Sequence, residues 1–562
     1  MLKSLSFFLR YFLFWVLFFA INRLAFEIWN SVKFSEIPFT EILKTFLYGA
    51  HMDASMAGYF CVLPFLLQVI SWFAPKTSSF KRKFILNYTY ILIVISAVLS
   101  SIDFNIYTEW GTKINVRALD FFFTSPSEAL ASTASSPVFS TLLVLAILCI
   151  AGIVLFRKIV RNAEQHPFKT AWFIRLPIGL LLLGLTFLAI RGGWGLSPMN
   201  PSKSYFSNRS ILNHSALNTN WLLLSNYLKK SDKHNPYQFY SKENSQNIVG
   251  RLFNRSDSGQ TSILNQERPN IVFCILESFT ADVVSELGGE PKVTPAFSSL
   301  IREGLLLNNI YSSGDRTDKG LISVLSAFPS QAIKSIIKEN DKQERLPSIM
   351  QSLSAEGYHT SFYYGGDIGF SNFGSYLLAH ETQTLFDSHQ LPSKDLTSKW
   401  GAYDEVTLTK HLQFLNSEKQ PFFSTLLTLS NHEPFELPRP GTFPNTSVEN
   451  KFRNTSQYTA ECLLNFIKEA KKQSWYENTL FVFVADHGHR LPKNTNEIYM
   501  HERYHIPLLL LGGALQKKFK GQVYDKIGGQ TDIIPTLLSQ LYIDDSAFKY
   551  GSNLFAPNHE GF

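Results

Sequence analysis

Charge and cysteine are both scarce in this sequence. Asp, Glu, Lys and Arg make up 17% of its 562 residues, against about a quarter in an average soluble domain. With 45% hydrophobic and 14% aromatic residues, the chain cannot be intrinsically disordered or collagenous. Only four cysteines occur, Cys61, Cys149, Cys274 and Cys462, without paired spacing. That excludes a disulfide-built secreted scaffold. It also leaves oxygen and nitrogen donors for any metal site. The shortage of charge is uneven and falls mainly on the first two fifths of the chain.

There the sequence has long apolar windows. Ala54–Phe73, Ile85–Ile102 and Pro137–Phe156 contain no Asp, Glu, Lys or Arg. A bilayer core of ~30 Å is crossed by ~20 helical residues, so each is long enough to span it. Leu176–Ile190 is extended by the apolar Ala171–Ile174, and Tyr11–Ala25 is interrupted by Arg23. Arg10 and Arg23 are expected to snorkel to the interfaces. Five such windows are too many for the core of a soluble protein of this size. The first has a basic start but no small-x-small cleavage site, so it reads as an uncleaved anchor. His51 and Asp53, opening the second span, are either functional or an interfacial pair facing headgroups or a neighbouring helix.

Loop charges orient the spans. Lys76, Lys81, Arg82 and Lys83 precede the third window, and Arg157, Lys158 and Arg161 follow the fourth. The alternate loops mix signs, with Glu27, Lys33, Glu36, Glu41 and Lys44 in one and Asp103, Glu109, Lys113, Arg117 and Asp120 in the other. The positive-inside rule puts the N-terminus in the cytoplasm and everything after the fifth span outside. The formal net charge of +7 is then a topology signal and requires no nucleic-acid partner. The expected division is a transmembrane domain at 1–191, a partly helical linker at the outer surface at 192–268, and an extracytoplasmic domain at 269–562.

From Pro269 the pattern changes to short apolar runs: Asn270–Leu276, Leu305–Ile310, Thr360–Tyr364, Phe422–Leu429, Leu480–Ala485 and Ile506–Leu511. Amphipathic stretches such as Glu461–Lys472 and Asp532–Leu541 lie between them. Alternating strand and helix patterns predict an α/β domain with a largely parallel central sheet. Ligands of such sheets lie beyond the carboxyl ends of the strands. At those ends stand Glu277-Ser278-Phe279, Ser313–Gly320, Gly365-Gly366-Asp367, Ser430-Asn431-His432-Glu433-Pro434 and Asp486-His487-Gly488. The carboxylates of Glu277 and Asp486, the His487 imidazole and the Thr317 hydroxyl make an O/N set suited to one Mn²⁺, Mg²⁺ or Zn²⁺. A threonine hydroxyl is a weak nucleophile until a cation lowers its pKa, which gives Thr317 a reason to stand there. Singly, each residue has an ordinary alternative. Asp-His-Gly suits a turn, Glu277 a helix N-terminus, Gly314–Gly320 a solvated loop, and His432 a hydrogen-bonded loop position.

The run Asn270-Ile-Val-Phe-Cys-Ile-Leu-Glu277-Ser-Phe, then Thr317, then Val484-Ala-Asp486-His487-Gly488, resembles the lipoteichoic acid synthase and phosphoglycerol transferase group of the alkaline phosphatase/sulfatase superfamily. The five preceding spans resemble that group too. The resemblance implies a sulfatase-like domain in which Glu277, Thr317, Asp486 and His487 hold one divalent metal, commonly Mn²⁺, with Thr317 as nucleophile. It implies that His432 contacts the phosphate or leaving group, and that Asp367 lies near a glycerol pocket. The Trp and Arg that follow this acid in lipoteichoic acid synthases are replaced here by the Phe370–Asn372 region. His501 and His505 are further candidates, with His501 favoured as a phosphate contact, and Arg316 or Lys319 could add positive charge. The sulfatase branch needs a Cys or Ser nucleophile before x-Pro-x-Arg, whereas Thr317-Asp318-Lys319-Gly320 stands here. The implied activity moves a phospholipid headgroup, phosphoglycerol from phosphatidylglycerol, to a glycan or lipid-linked acceptor outside the cell membrane. The competing expectations are a phosphoethanolamine transferase, a phosphodiesterase, and a non-catalytic scaffold or transporter accessory.

Overall fold

The computed structural model describes residues 2–74, 78–111, 113–114, 137–160, 170–228, 237–253, 259–332, 334–559 and 561. Lys76, Arg117, Asp120 and Arg161 lie outside them. Two compact units divide the chain, Met1–Asn235 and Pro236–Phe562.

The first unit contains α1 (Leu2–Trp29), α2 (Phe39–Phe73), α3 (Ser78–Trp110), α4 (Val138–Ile159) and α5 (Trp172–Arg191). All five are long and apolar enough to cross a membrane. Aromatic side chains hold them together: Tyr11, Phe14, Trp15 and Phe18 of α1 are fully buried, and Trp15 meets Phe60 of α2 edge-on at 4.7 Å. Two shorter helices follow, α6 (Ser210–Ala216) and α7 (Thr219–Leu228).

Arg23 does not snorkel. It turns inward and pairs with Asp53 at 2.8 Å, while its remaining donors reach the carbonyls of Ser215 and Ala216. Gly49 leaves the room: a Cβ there would fall 2.2 Å from the guanidinium. Asp53 also accepts from Asn218, and Glu27 accepts from Thr45 and Ser215. Alongside, Asp103 takes Lys113 at 2.7 Å, the Ile114 amide and the Thr219 hydroxyl. His51 is exposed and takes no part in the cluster. These charges are buried because each is paired and hydrogen-bonded, which burial at this depth demands.

The second unit is built on one nine-stranded sheet, β1 (Asn270–Leu276), β2 (Leu305–Tyr311), β3 (His359–Tyr364), β4 (Thr384–Phe386), β5 (Phe422–Leu427), β6 (Thr479–Ala485), β7 (His505–Gly512), β8 (Gln522–Tyr524) and β9 (Gly528–Gly529). Its order is β4-β3-β5-β1-β6-β7-β2-β8, with β9 also on β2. Every pairing is parallel except those of β7 with β6 and β2. β1, β5 and β6 are buried along their whole length, as central strands covered on both faces must be. Helices α8 (Thr317–Ser326), α9 (Asp404–Leu415), α10 (Val448–Ala470) and α11 (Ile533–Gln540) lie among the covering elements. Of the expected linker, α6 and α7 belong to the first unit, while Ile263 and Leu264 are buried in the second, where Leu264 bridges to Leu515.

Candidate metal centre

Strand register sets the two acids side by side. Leu276 is the register partner of Ala485 in the parallel β1–β6 pair, so Glu277 and Asp486 leave the sheet together. The turn after β1 is tight, with Ser278 at φ 54°, a left-handed conformation uncommon for a serine. It places the Ser278 amide 2.8 Å from Asp486 Oδ1, and the Ser278 hydroxyl 2.8 Å from Glu277 Oε1. The His487 amide also donates to Asp486 Oδ1, at 2.7 Å. The second oxygen, Asp486 Oδ2, is buried without a hydrogen-bond partner. His487 Nε2 lies 3.4 Å from it and 3.7 Å from Glu277 Oε1. Ligand atoms of Glu277, Asp486 and His487 all lie within 4.8 Å of one another.

Thr317 enters at the first position of α8 and donates to Glu277 Oε2 at 3.1 Å. Helix N-termini favour negative charge, so the dipole of α8 favours an alkoxide or a phosphoryl oxygen at this hydroxyl. Gly320, on the same helix, permits the approach: a Cβ would fall 2.0 Å from the Asp486 carbonyl oxygen. Gly320→Ala is therefore expected to push α8 away and break the Thr317–Glu277 contact. Any turnover should fall by about 100-fold, because a displacement of order 1 Å has that effect on aligned groups, while Mn²⁺ affinity by calorimetry should fall by less than about tenfold, since Glu277, Asp486 and His487 keep their own backbone contacts. Unchanged turnover would contradict the close packing.

Burial controls the titration of the three acidic and basic groups. It raises Glu277, and the neighbouring Asp486 carboxylate raises it further. Burial lifts Asp486 to about 6 and holds the His487 imidazole below its usual value. His487 Nδ1 lies 2.8 Å from the Gly488 carbonyl, which makes Nδ1 the protonated nitrogen and leaves the Nε2 lone pair for a ligand.

The other expected residues stand as follows. His432 is partly exposed, with Nδ1 2.9 Å from the Glu433 carbonyl, and its ring meets Trp400 edge-on at 4.7 Å. Its neighbour Asn431 donates to the Glu277 carbonyl, which puts His432 on the rim of the acid pair. Asp367 Oδ1 accepts from the Gly369 amide, and the side chain clusters with Asp387 and His389. Arg316 is exposed at the N-cap of α8. His501 is exposed beside Glu502 and 6.2 Å from the Tyr311 ring. His505 Nε2 lies 2.7 Å from the Asn308 carbonyl, and Lys319 pairs with Asp315.

Several supports lie outside the sequence motifs. Thr428 accepts from the Glu277 amide, and Asn431 reaches the Glu277 and Ser278 carbonyls. Asp404 holds the Leu429 and Ser430 amides, and Gln530 ties Ser313 to the carbonyls of Ala485 and Asp486. Trp400 donates to the Glu433 carbonyl and stands 5.7 Å from Phe370. Asn431 was visible as part of a polar run after β5. The others had no signal, since their partners are distant in sequence.

Known proteins share the fold that carries this site. Residues 269–543 match the family described as Sulfatase. Lipoteichoic acid synthase 1 of Bacillus subtilis (strain 168) is 27% identical over 318 residues, 52% of this chain and 48% of that protein. The lipoteichoic acid synthase-like YvgJ of the same strain is 24% identical over 322 residues, 52% of this chain and 51% of that protein. The chain thus spans about half the length of the curated relatives it matches. A crystal structure of an alkaline phosphatase superfamily protein from Vibrio parahaemolyticus superimposes with a TM-score of 0.51 at 27% identity, covering 57% of this chain and 80% of that one. Residues 269–543 thus carry a sulfatase-like α/β domain, similar in fold to that alkaline phosphatase superfamily protein. With its five spans, the chain is a multi-pass membrane protein.

Proposed function

We propose that this membrane-anchored sulfatase-domain protein transfers a phospholipid headgroup, phosphoglycerol from phosphatidylglycerol, to a glycan or lipid-linked acceptor through a covalent threonine intermediate. In this reading residues 1–191 anchor the chain, 192–268 connect, and 269–562 carry the chemistry. The observation that carries it is the convergence of Thr317 Oγ1, Glu277, Asp486 and His487 at the ends of two adjacent strands.

The donor set fits a divalent cation. Two carboxylates, one imidazole nitrogen freed by its tautomer and one hydroxyl converge, and Asp486 Oδ2 is a buried acceptor with nothing to accept from. Glu277, Thr317, Asp486 and His487 would hold it, and the oxygen-rich set favours Mn²⁺ over a thiophilic site. When bound, the ion supplies positive charge that lowers the hydroxyl pKa and offsets charge on a phosphoryl oxygen.

The chain's own residues do the rest. Glu277 Oε2 accepts from the Thr317 hydroxyl and orients Oγ1 at the head of α8. The Thr317 hydroxyl proton passes to Glu277 Oε2 as the Oγ1–P bond forms and the bond from phosphorus to the diacylglycerol oxygen breaks, and Glu277 returns it when Oγ1 is later freed. His432, on the rim, delivers the proton that the departing oxygen needs. An acceptor hydroxyl then attacks the Thr317 phosphodiester, losing its proton to the same imidazole and freeing Oγ1. Tethering to the membrane that contains the donor keeps the two at high effective concentration.

The experiment supplies the full chain in membranes with headgroup-labelled phosphatidylglycerol or phosphatidylethanolamine, with Mn²⁺ or with EDTA. Label transfer and diacylglycerol release from phosphatidylglycerol, lost in EDTA, are expected. Transfer of ethanolamine phosphate instead, release of the label to water alone, or no release would each replace this reading.

A further inference from the structure

Near the acid pair, Arg503 forms no ion pair among the described residues, and its Nε is buried without a hydrogen-bond partner. Arg503 belongs to a short 3-10 turn, His501–Tyr504, just before β7. This turn sits where the segments after β2 and β6 meet. The Ser312 amide donates to the Tyr504 carbonyl at 2.8 Å, and a Cβ on Gly488 would fall 2.0 Å from the Arg503 carbonyl oxygen. The backbone of Arg503 is thus packed on the residue after His487, and its neighbour is tied to the loop that leads to Thr317.

The Arg503 side chain is half-buried, and its Nε is fully buried without a hydrogen-bond partner. Three other cations near this turn have side-chain partners. Lys319 pairs with Asp315 at 2.9 Å, Lys493 with Asp282 at 2.6 Å, and Arg490 donates to Asn494 at 2.8 Å. Arg503 forms no ion pair among the described residues, yet its charge acts on His487 and His489 and is acted on by Asp315. Of these, His487 directly follows Asp486, and Asp315 lies two residues before Thr317. A guanidinium taken half out of water and left unpaired is costly unless something anionic completes it. Its planar fork matches two oxygens of a phosphate group.

We propose that Arg503 is a substrate-binding residue that clamps the non-bridging oxygens of the phosphoryl group attacked by Thr317. This deepens the phosphotransferase reading and rests on it for the identity of the substrate, but the ligand class, a tetrahedral phosphate-like oxyanion, stands on the arginine itself.

The test uses the full chain in nanodiscs with orthovanadate as the probe. Vanadate affinity from thermal shift, Mn²⁺ affinity, and the kcat and KM for phosphatidylglycerol are compared for wild type, Arg503→Ala and Arg503→Lys. Arg503→Ala should weaken vanadate by about 30-fold and lower kcat/KM by about 100-fold, as loss of a charge-assisted bidentate contact does. Mn²⁺ affinity should stay within about twofold, and Arg503→Lys should recover part of the vanadate binding, since a point charge replaces the fork. Unaltered vanadate affinity in Arg503→Ala would overturn the proposal. So would a parallel loss of Mn²⁺ and vanadate, which would make Arg503 a brace between the two turns. If the wild type binds vanadate through Arg503 but leaves phosphatidylglycerol untouched, the substrate assignment fails and the oxyanion clamp survives.

Discussion

Thr317→Ala should abolish lipid turnover, by about 10⁴-fold or more, as loss of an obligatory nucleophile does. The fold should survive. The hydroxyl contributes one hydrogen bond, to Glu277 Oε2 at 3.1 Å, and a net loss of about 1 kcal/mol is small beside a domain's stability. Mn²⁺ should still bind, weakened by less than about tenfold, because Glu277, Asp486 and His487 remain and their positions are set by backbone contacts that do not involve Thr317. Thr317→Ser keeps the oxygen at the head of α8 and should retain activity within about tenfold of wild type. The covalent step has its own readout. A Thr317-containing peptide with an added glycerol phosphate should be trapped by acid quench and seen by mass spectrometry in wild type and absent in the alanine variant. Turnover persisting in Thr317→Ala would remove the nucleophile and leave direct transfer to the acceptor as the chemistry.

Why the acid pair could be found from the sequence, and its supports could not, follows from how each is encoded. Six apolar runs coincided with β1, β2, β3, β5, β6 and β7 to within two residues at each end. Central strands buried on both faces write themselves as continuous Ile, Val, Leu and Phe. Since a parallel sheet presents its chemistry at strand ends, Glu277 and Asp486 were legible with the strands. β4, β8 and β9 have three residues or fewer, too short to carry an alternation. The helical stretch expected at Glu461–Lys472 extends back to Val448 as α10. Its first half is polar on the exposed side, and the cap is a single Ser447 hydroxyl on the Asn450 amide. Asp404 is a third case. It lies at the start of α9 and reads as an acid favoured by the helix dipole, but it is buried and binds amides on the segment after β5 and the Thr459 hydroxyl on α10. Only tertiary contact defines that role.

The membrane unit misled the charge pattern in an instructive way. His51 and Asp53 read as the opening of the second span, whereas α2 begins at Phe39 and carries both within it. Glu27, Asp53 and Asp103 face one another's partners inside the bundle. A sequence displays a charge but not its counter-charge, and Arg23 with Asp53, or Asp103 with Lys113, are separated by too many residues for a local pattern.

That cluster yields the second large expectation. Asp103→Leu should destabilise the membrane unit by about 3–5 kcal/mol, the range for removing one partner of a buried ion pair. The Asp103 carboxylate is fully buried and takes three donors at once: Lys113 Nζ, the Ile114 amide and the Thr219 hydroxyl. Leucine would remove the acceptor all three share, and Lys113 would retain only the Thr219 hydroxyl and the Phe26 ring 4.0 Å away. The double variant Asp103→Leu/Lys113→Met removes the stranded charge as well and should recover at least half the loss, since a buried pair exchanged for apolar side chains is often tolerated. The exposed pair Lys44–Glu41 is the control: Glu41→Ala should leave stability unaltered, because solvent screens such pairs. Thermal inactivation and protease resistance of the full chain in nanodiscs read all three. The sharpest comparison is between the single and double variants. If Asp103→Leu and the double variant lose the same stability, the cost lies in the Ile114 and Thr219 groups. If the double variant recovers, the unpaired Lys113 charge is what the bundle cannot hold, and the pair anchors α7 through Thr219 by electrostatics more than by packing.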